Sequence, residues 1–226
     1  MDLSHTKRLP KYQRREQLLN AALMLVREQG TEDLTLCSLA QRVGITHTVV
    51  YRHFKTRTGL LIALYGRVDA HQVEILLAKL KLATPHLKQI AYAVSDAYVT
   101  GACEVGVEWQ ALQAALKGNA EMSAVLRQLT EVYVAICQDA LAPYSHLSSD
   151  QLHLRCIGFL GAARTIAEEL IGGHIERVEA VVTLTALILC WLTAAEARVQ
   201  ACPPTASCST GRAMPLCADL RTSGLS

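Results

Sequence analysis

Aromatic residues are scarce in this chain, at 5% of 226 residues, whereas apolar residues make up 51%. An interior of that size filled mainly by aliphatic side chains suits packed helices in one or two domains. Paired cysteines are lacking too. None of the eight cysteines stands in a C-x-x-C pair, so the expectation is reduced, mostly buried thiols rather than a disulfide scaffold. Long apolar runs are missing: the charge-free stretch 180–195 holds 16 residues. As a helix it would reach about 24 Å, short of the ~30 Å hydrocarbon core, which excludes a membrane span and favours a buried or dimer-forming helix. No charged segment followed by an apolar one opens the chain, so no secretion signal is expected and the expected location is cytoplasmic. Catalytic spacings are absent as well: there is no P-loop, dinucleotide fingerprint or nucleophile–base pair. His153 and Cys156 lie three residues apart on one helix face, but two ligands without a third do not make a metal site. Neither an enzyme nor a cofactor is expected.

What is present begins with charge asymmetry. Residues 1–60 carry ten Lys or Arg against five acidic residues, whereas the remainder carries twelve against fifteen. A basic end on a near-neutral body is the footprint of a nucleic-acid-binding module joined to something else. Within that end, TLCSLAQRVGITHTVVYRHFKTRTGLL runs from Thr35 to Leu61. Thr35 is a good N-cap for a helix with Leu36, Leu39, Ala40 and Val43 at helical spacing. Gly44 follows the last of these, where a left-handed residue ends a helix cheaply. Thr46 opens a second helix, with Val49 and Val50 facing inward and His47, Thr48 and Arg52 facing outward. That division is what a helix reading the major groove requires. A preceding helix, about residues 11–29, carries Leu18, Ala22, Leu25 and Val26 on one face and stops at Gly30.

Thr35, Leu39, Ala40, Val43-Gly44-Ile45-Thr46, Tyr51, His53-Phe54, Arg57 and Leu60-Leu61 together resemble the DNA-binding region of the TetR family of transcriptional regulators. The resemblance is close over about the first 65 residues and beyond them lies in helix number and length. It departs from the family pattern at Arg57, where a lysine is usual, and at Gly59, where a good helix former is common and a weak helix start is therefore expected. The resemblance implies an all-α fold of about nine helices. Residues 1–57 would form a three-helix helix-turn-helix domain with a basic arm (His5, Lys7, Arg8, Lys11), residues 58–200 a ligand-binding and dimerisation domain, and residues 201–226 a disordered tail. It also implies a sequence-specific homodimeric regulator on palindromic double-stranded DNA, most simply a repressor released by a small-molecule effector. An activating or redox-responsive regulator of the same family is the alternative. Base contacts are expected from Thr46, His47 and Thr48, and phosphate contacts from Tyr51, His53, Lys55 and Arg57, with Arg52 on the exposed face and Arg42 able to serve either role.

After Thr58 the pattern is helix upon helix. Spacing predicts helices over about 58–82, 86–103, 107–117 and 119–141, one that follows the caps Ser148 and Ser149 and is broken by Gly172-Gly173, and one over about 176–199. The one ending near 141 carries a stripe of Leu126, Leu129, Tyr133, Ile136 and Ala140. The next carries Leu152, Cys156, Phe159, Ala163, Ile166 and Leu170. On that same helix Arg155, Gly158, Ala162, Thr165 and Glu169 form a second stripe of mainly small residues, proposed to face a partner in a four-helix dimer interface. Polar or aromatic groups on apolar helices are the candidates for an effector pocket: Tyr65, Tyr98, Cys103, Trp109, Tyr133, Cys137 and Arg164. Arg164 also has Glu168 one turn later for a simple ion pair. Few charges fall within these helices, which suggests an apolar or amphipathic effector and no membrane partner. The tail holds Cys202, Cys208 and Cys217 in a spacing that matches no ligand pattern.

Overall fold

A stop signal bounds the first helix at each end. Pro10 precedes it and Gly30 follows it with φ 83°. The computed structural model describes residues 9–117 and 120–193. Among them are α1 (Lys11–Gln29), α2 (Leu36–Val43), α3 (His47–Phe54), α4 (Arg57–Leu82), α5 (Leu87–Val105), α6 (Val107–Lys117), α7 (Ala120–Leu141), α8 (Ser149–Ile171) and α9 (Arg177–Thr193). A 3-10 turn, Ala142–Tyr144, joins α7 to α8, and no strand occurs among the described residues. The fold is all-α. His5, Lys7 and Arg8 of the arm, the tail cysteines and the last turns expected of the ninth helix lie outside the described residues.

Local chemistry sets the ends of α2 and α3. The Thr35 hydroxyl accepts from the Ser38 backbone N–H at 2.9 Å, and the Ser38 hydroxyl accepts from the Thr35 N–H at 2.9 Å. This is a reciprocal capping box with serine where a longer Glu or Gln is usual. Gly44 ends α2 at φ 69°, ψ 37°, the left-handed conformation that a Cβ disfavours. Downstream, α8 opens with a second box between Ser148 and Gln151.

Two apolar clusters fill the interior. The first joins Leu18, Ala22 and Leu25 of α1, Leu39 of α2 and Val50 and Phe54 of α3 to Leu60, Leu61 and Leu64 of α4. It continues into Trp109, Leu112 and Leu116 of α6 and Leu126 of α7. The apolar core of the reader therefore does not stop at residue 57. The second cluster is built around α5, which buries Ile90, Ala91, Val94, Ala97, Tyr98, Val99 and Ala102. Small residues such as Ala91, Ala97, Gly101 and Ala102 on α5 let its neighbours α4, α8 and α9 approach it closely. Against it pack Val134 and Cys137 of α7, Cys156, Phe159 and Ala163 of α8, and Ala180, Leu184 and Ile188 of α9.

Two stripes are rotated from their expected positions. On α7 the buried line is Leu126, Tyr133-Val134, Cys137 and Leu141, while Leu129, Ile136 and Ala140 are half-buried at its flank. On α8, Leu160 and Ala167 are buried, with Ile166 and Leu170 left partly exposed. A helix packed between several neighbours buries the face its crossing angles select, and spacing alone does not specify those angles. No described helix is long and apolar enough to cross a membrane.

Candidate nucleic-acid interface and interior cavity

The N-terminal end of α3 is built to present unused polar groups. Thr46 has an extended backbone at the N-cap, yet its hydroxyl makes no capping bond. The Thr46 carbonyl instead accepts from the Val49 N–H at 3.0 Å. Thr46, His47 and Thr48 are exposed, Val50 is buried beneath them, and Val49 is half-buried. Tyr51 is exposed, with Lys55 Nζ lying 5.5 Å from its ring centroid. Beside α3, an open groove runs along the start of α1 between Pro10, Lys11, Arg14, Val49, Arg52 and His53. His53 is held below the usual imidazole range by burial, and then by the positive charges of Arg15, Lys11, Arg14 and Arg52. Such a groove attracts a polyanion and offers N–H donors along its length.

The cations around α3 fall into two groups. Arg42 forms a two-pronged pair with Glu28 at 2.6 Å on both nitrogens, clamping α2 to α1. Arg57 donates from Nε to the Leu34 carbonyl at 2.9 Å and from its terminal nitrogen to the Thr31 carbonyl at 2.6 Å, pinning the loop ahead of α2. Arg15 donates to the His53 carbonyl at 3.4 Å and lies 5.0 Å from the Phe54 ring centroid. By contrast the side chains of Lys11, Arg52 and Lys55 make no hydrogen bond or ion pair to protein groups among the described residues. The turn after α3 is tight: the Thr56 N–H donates to the Phe54 carbonyl at 2.7 Å around Lys55, whose φ is 63°.

A second site lies inside, at the seam between the two apolar clusters. Tyr65, Asp69 and Gln72 of α4 meet Tyr98 of α5, Trp109 and Gln113 of α6, Thr130 and Tyr133 of α7 and Arg164 of α8 around a cavity of about 20 Å³, enough for about one water molecule. The rings form an edge-on ladder: Tyr65–Trp109 at 6.1 Å, Trp109–Tyr98 at 6.4 Å and Tyr98–Tyr133 at 6.0 Å between centroids. Asp69 is 7% exposed, and burial pushes its carboxyl up to about 6. Burial likewise pushes the Tyr98 hydroxyl up to about 12, opposed by the nearby Arg164 guanidinium. The Gln72 amide donates to the Tyr98 carbonyl at 3.3 Å, while its Oε1, the Tyr133 hydroxyl and Arg164 Nε are buried without a partner.

Residues 18–64 match the sequence profile of "Bacterial regulatory proteins, tetR family". Over these residues the chain is similar to the tetR family. Among its relatives is "HTH-type transcriptional regulator BetI" of Serratia proteamaculans, 33% identical over 73 residues, 32% of this chain and 37% of that protein. "Nucleoid occlusion factor SlmA" of Haemophilus influenzae is 29% identical over 79 residues, 34% of this chain and 36% of that protein. The matched part thus spans just over a third of the length of these relatives. The fold extends much further. A putative transcriptional regulator from Pseudomonas aeruginosa PAO1 superimposes with a TM-score of 0.70 over 87% of this chain and 96% of that one, at 16% identity. That likeness is one of fold.

The structure brings together Tyr65, Tyr98, Trp109, Tyr133 and Arg164 of the seven effector candidates. Cys137 is buried one turn from Tyr133, in an adjoining crevice with Leu152, Cys156 and Ile188, and burial holds its thiol well above the usual range. Cys103 is exposed and apart from the cavity. Arg164 makes no ion pair with Glu168 among the described residues, and its guanidinium lies toward Tyr98 instead. Asp69, Gln72 and Gln113 were not among the candidates. The signal was available: 65, 69, 72 and 76 share one face of α4 at 4-3-4 spacing, as do 109 and 113 on α6, so polar residues there must be buried with the tyrosine and tryptophan. On α8, Gly158, Thr165 and Glu169 of the small-residue stripe are exposed, and Arg155 and Ala162 are half-buried.

Proposed function

We propose that this tetR-family chain is a sequence-specific DNA-binding transcriptional regulator: a homodimeric repressor released from a palindromic operator by a small molecule bound in the α4–α8 cavity. The observation that carries the reading is the uncommitted polar end of α3. Thr46, His47 and Thr48 stand exposed on a helix whose other face is locked into the core, and cations flank it on both sides. Side chains free of internal partners are the ones able to read base edges, while the rim sets register on phosphates.

Dimerisation through α8 and α9 is supported by what this face leaves uncovered. Leu154 is 68% exposed, Val178 71% and Val182 58%, beside exposed Gly158, Gly161, Ala186 and Cys190. Apolar and small residues on two adjacent helices suit close packing against the same pair in a second copy. Two readers must then sit about 34 Å apart to meet successive major grooves. A ligand that favours another spacing would release the DNA, because only differential affinity shifts the equilibrium. The proposed site of action is the cytoplasm.

Selection from a random duplex pool at near-physiological salt tests the reading. One enriched palindrome is expected, and Thr46→Ala or Thr48→Ala is expected to change the preferred bases by roughly 1–3 kcal/mol per lost contact. Bulk, salt-sensitive binding with no enriched sequence would reduce the protein to a non-specific DNA binder.

A further inference from the structure

The interior cavity has a specific chemical imbalance. Its buried unpartnered atoms are Gln72 Oε1, the Tyr133 hydroxyl, which can accept as well as donate, and, on the Tyr98 side, Arg164 Nε. Asp69 is 93% buried, and its carboxylate makes no side-chain hydrogen bond or ion pair among the described residues, while its oxygens are not wholly enclosed. A buried acceptor without a donor is costly, and an unpaired carboxylate more so, unless something arrives to pair with it. The walls are aromatic: Tyr65, Trp109, Tyr98 and Tyr133 stand in one edge-on ladder. Ring faces carry negative quadrupole charge and attract cations. Arg164 lines the same cavity but lies toward Tyr98, and it makes no ion pair with Asp69 among the described residues.

We infer that the cavity recognises a protonated amine with an apolar or aromatic body, its ammonium donating to Asp69, to Gln72 Oε1 and to the Tyr133 oxygen while the rings enclose its carbon frame. A quaternary ammonium would satisfy the rings but leave the acceptors without N–H donors. An anion would meet the carboxylate head-on, and a neutral alcohol would leave it unbalanced. The cavity as it stands holds little more than a water, so an amine must part α4 from α6. Both helices are tied to the reader: α4 begins at its tight turn, and Glu108 of α6 pairs with Arg27 of α1. This assignment rests on the reading of the chain as an effector-released regulator.

The full-length protein would be titrated calorimetrically with hexylammonium and phenethylammonium, with hexanol and phenethyl alcohol, and with hexanoate and phenylacetate. Release of the selected operator would be measured in parallel. The ammonium probes are expected to bind and release DNA, and each alcohol to bind at least about tenfold more weakly. Asp69→Asn should remove at least about tenfold of the ammonium affinity, leave that of the alcohols unchanged and melt no lower than the parent. Tyr133→Phe, which retains the ring, provides a second variant and should weaken ammonium binding alone. Equal binding of amine and alcohol, or full amine affinity in Asp69→Asn, would overturn the assignment. If alcohols or carboxylates bound and released DNA while amines did not, the ammonium assignment would fall and the effector reading would stand. If no probe of any class bound, both would fall for this cavity, although specific DNA binding would survive.

Discussion

Arg57 stands where resemblance points to a phosphate contact, yet its guanidinium is occupied by the carbonyls of Leu34 and Thr31. Two donors in a planar fork reach two carbonyls that no helix satisfies, so the side chain fastens the loop before α2 to the start of α4. Arg57→Ala should lower stability by about 1–2 kcal/mol in urea unfolding, as well as weakening DNA binding of every sequence. Arg57→Lys should not restore that stability, because an ammonium lacks the fork. An alanine variant as stable as the parent would return Arg57 to a purely DNA-facing role. His53 makes the opposite case. Burial and four surrounding cations hold it neutral below its ordinary 6.5. A phosphate beside it would favour the charged form, so DNA binding should take up a proton and tighten as pH falls from neutrality. The sign for folding is reversed: with its folded value depressed, His53 charges more readily in the unfolded chain, and its contribution to stability is lost as pH falls. Comparing operator affinity across this range in the parent and in His53→Gln checks the linkage; an equal pH slope in both would exclude His53 as its source.

At the scale of elements, the joint between α3 and α4 governs how the reader is carried. Helix propensity marks Gly59 as a weak start for α4, but the Thr56 hydroxyl caps that end, accepting from the Gly59 N–H at 2.9 Å. Glycine is present for space: a Cβ at 59 would sit 2.3 Å from the Phe54 carbonyl oxygen, which the tight turn at Lys55 brings back over the helix. Gly59→Ala, stabilising by propensity alone, should therefore destabilise by about 1–3 kcal/mol, since backbone rather than a flexible side chain must move. A raised melting temperature in that variant would show that the turn relaxes freely. The capping residue was within reach of sequence reading, because threonine before a helix is a local signal. The close approach was not, since it depends on the path of a turn three residues earlier.

At the scale of the molecule, the reader and the cavity share structure rather than lying end to end. The first apolar cluster runs from α1 to α6 and α7, and the aromatic ladder lies where it meets the second. Glu108, nearly fully buried, pairs with half-exposed Arg27 across α6 and α1, one residue before Trp109 of the cavity wall. Arg27→Ala should leave a buried carboxylate unpaired and lower stability by about 1–3 kcal/mol. Adding Glu108→Gln should recover part of that loss, a double-mutant cycle in thermal unfolding that isolates the pair. Additive losses would mean the two side chains act separately. If the pair transmits ligand binding, the single variant should also need more effector to release the same DNA.

Sequence alone determined the helices and the reader. Helix ends follow from caps and glycines, which act within one turn of chain, so Lys11–Gln29 and Val107–Lys117 were legible residue by residue, as was the division of α3 into inner Val49 and Val50, of which Val49 is only half-buried, and outer His47, Thr48 and Arg52. Periodicity also placed Tyr65, Tyr98, Trp109 and Tyr133 on apolar helices. Only the tertiary structure decided that these four meet, that Asp69, Gln72 and Gln113 meet them, and that Cys103 does not. It also decided which arginines around α3 are committed, giving Arg42 to Glu28 and Arg57 to two carbonyls. The reason is range: a cap or a stripe is fixed by neighbours three or four residues away, whereas partners brought together by helix crossing lie tens of residues apart and depend on angles that no local pattern encodes.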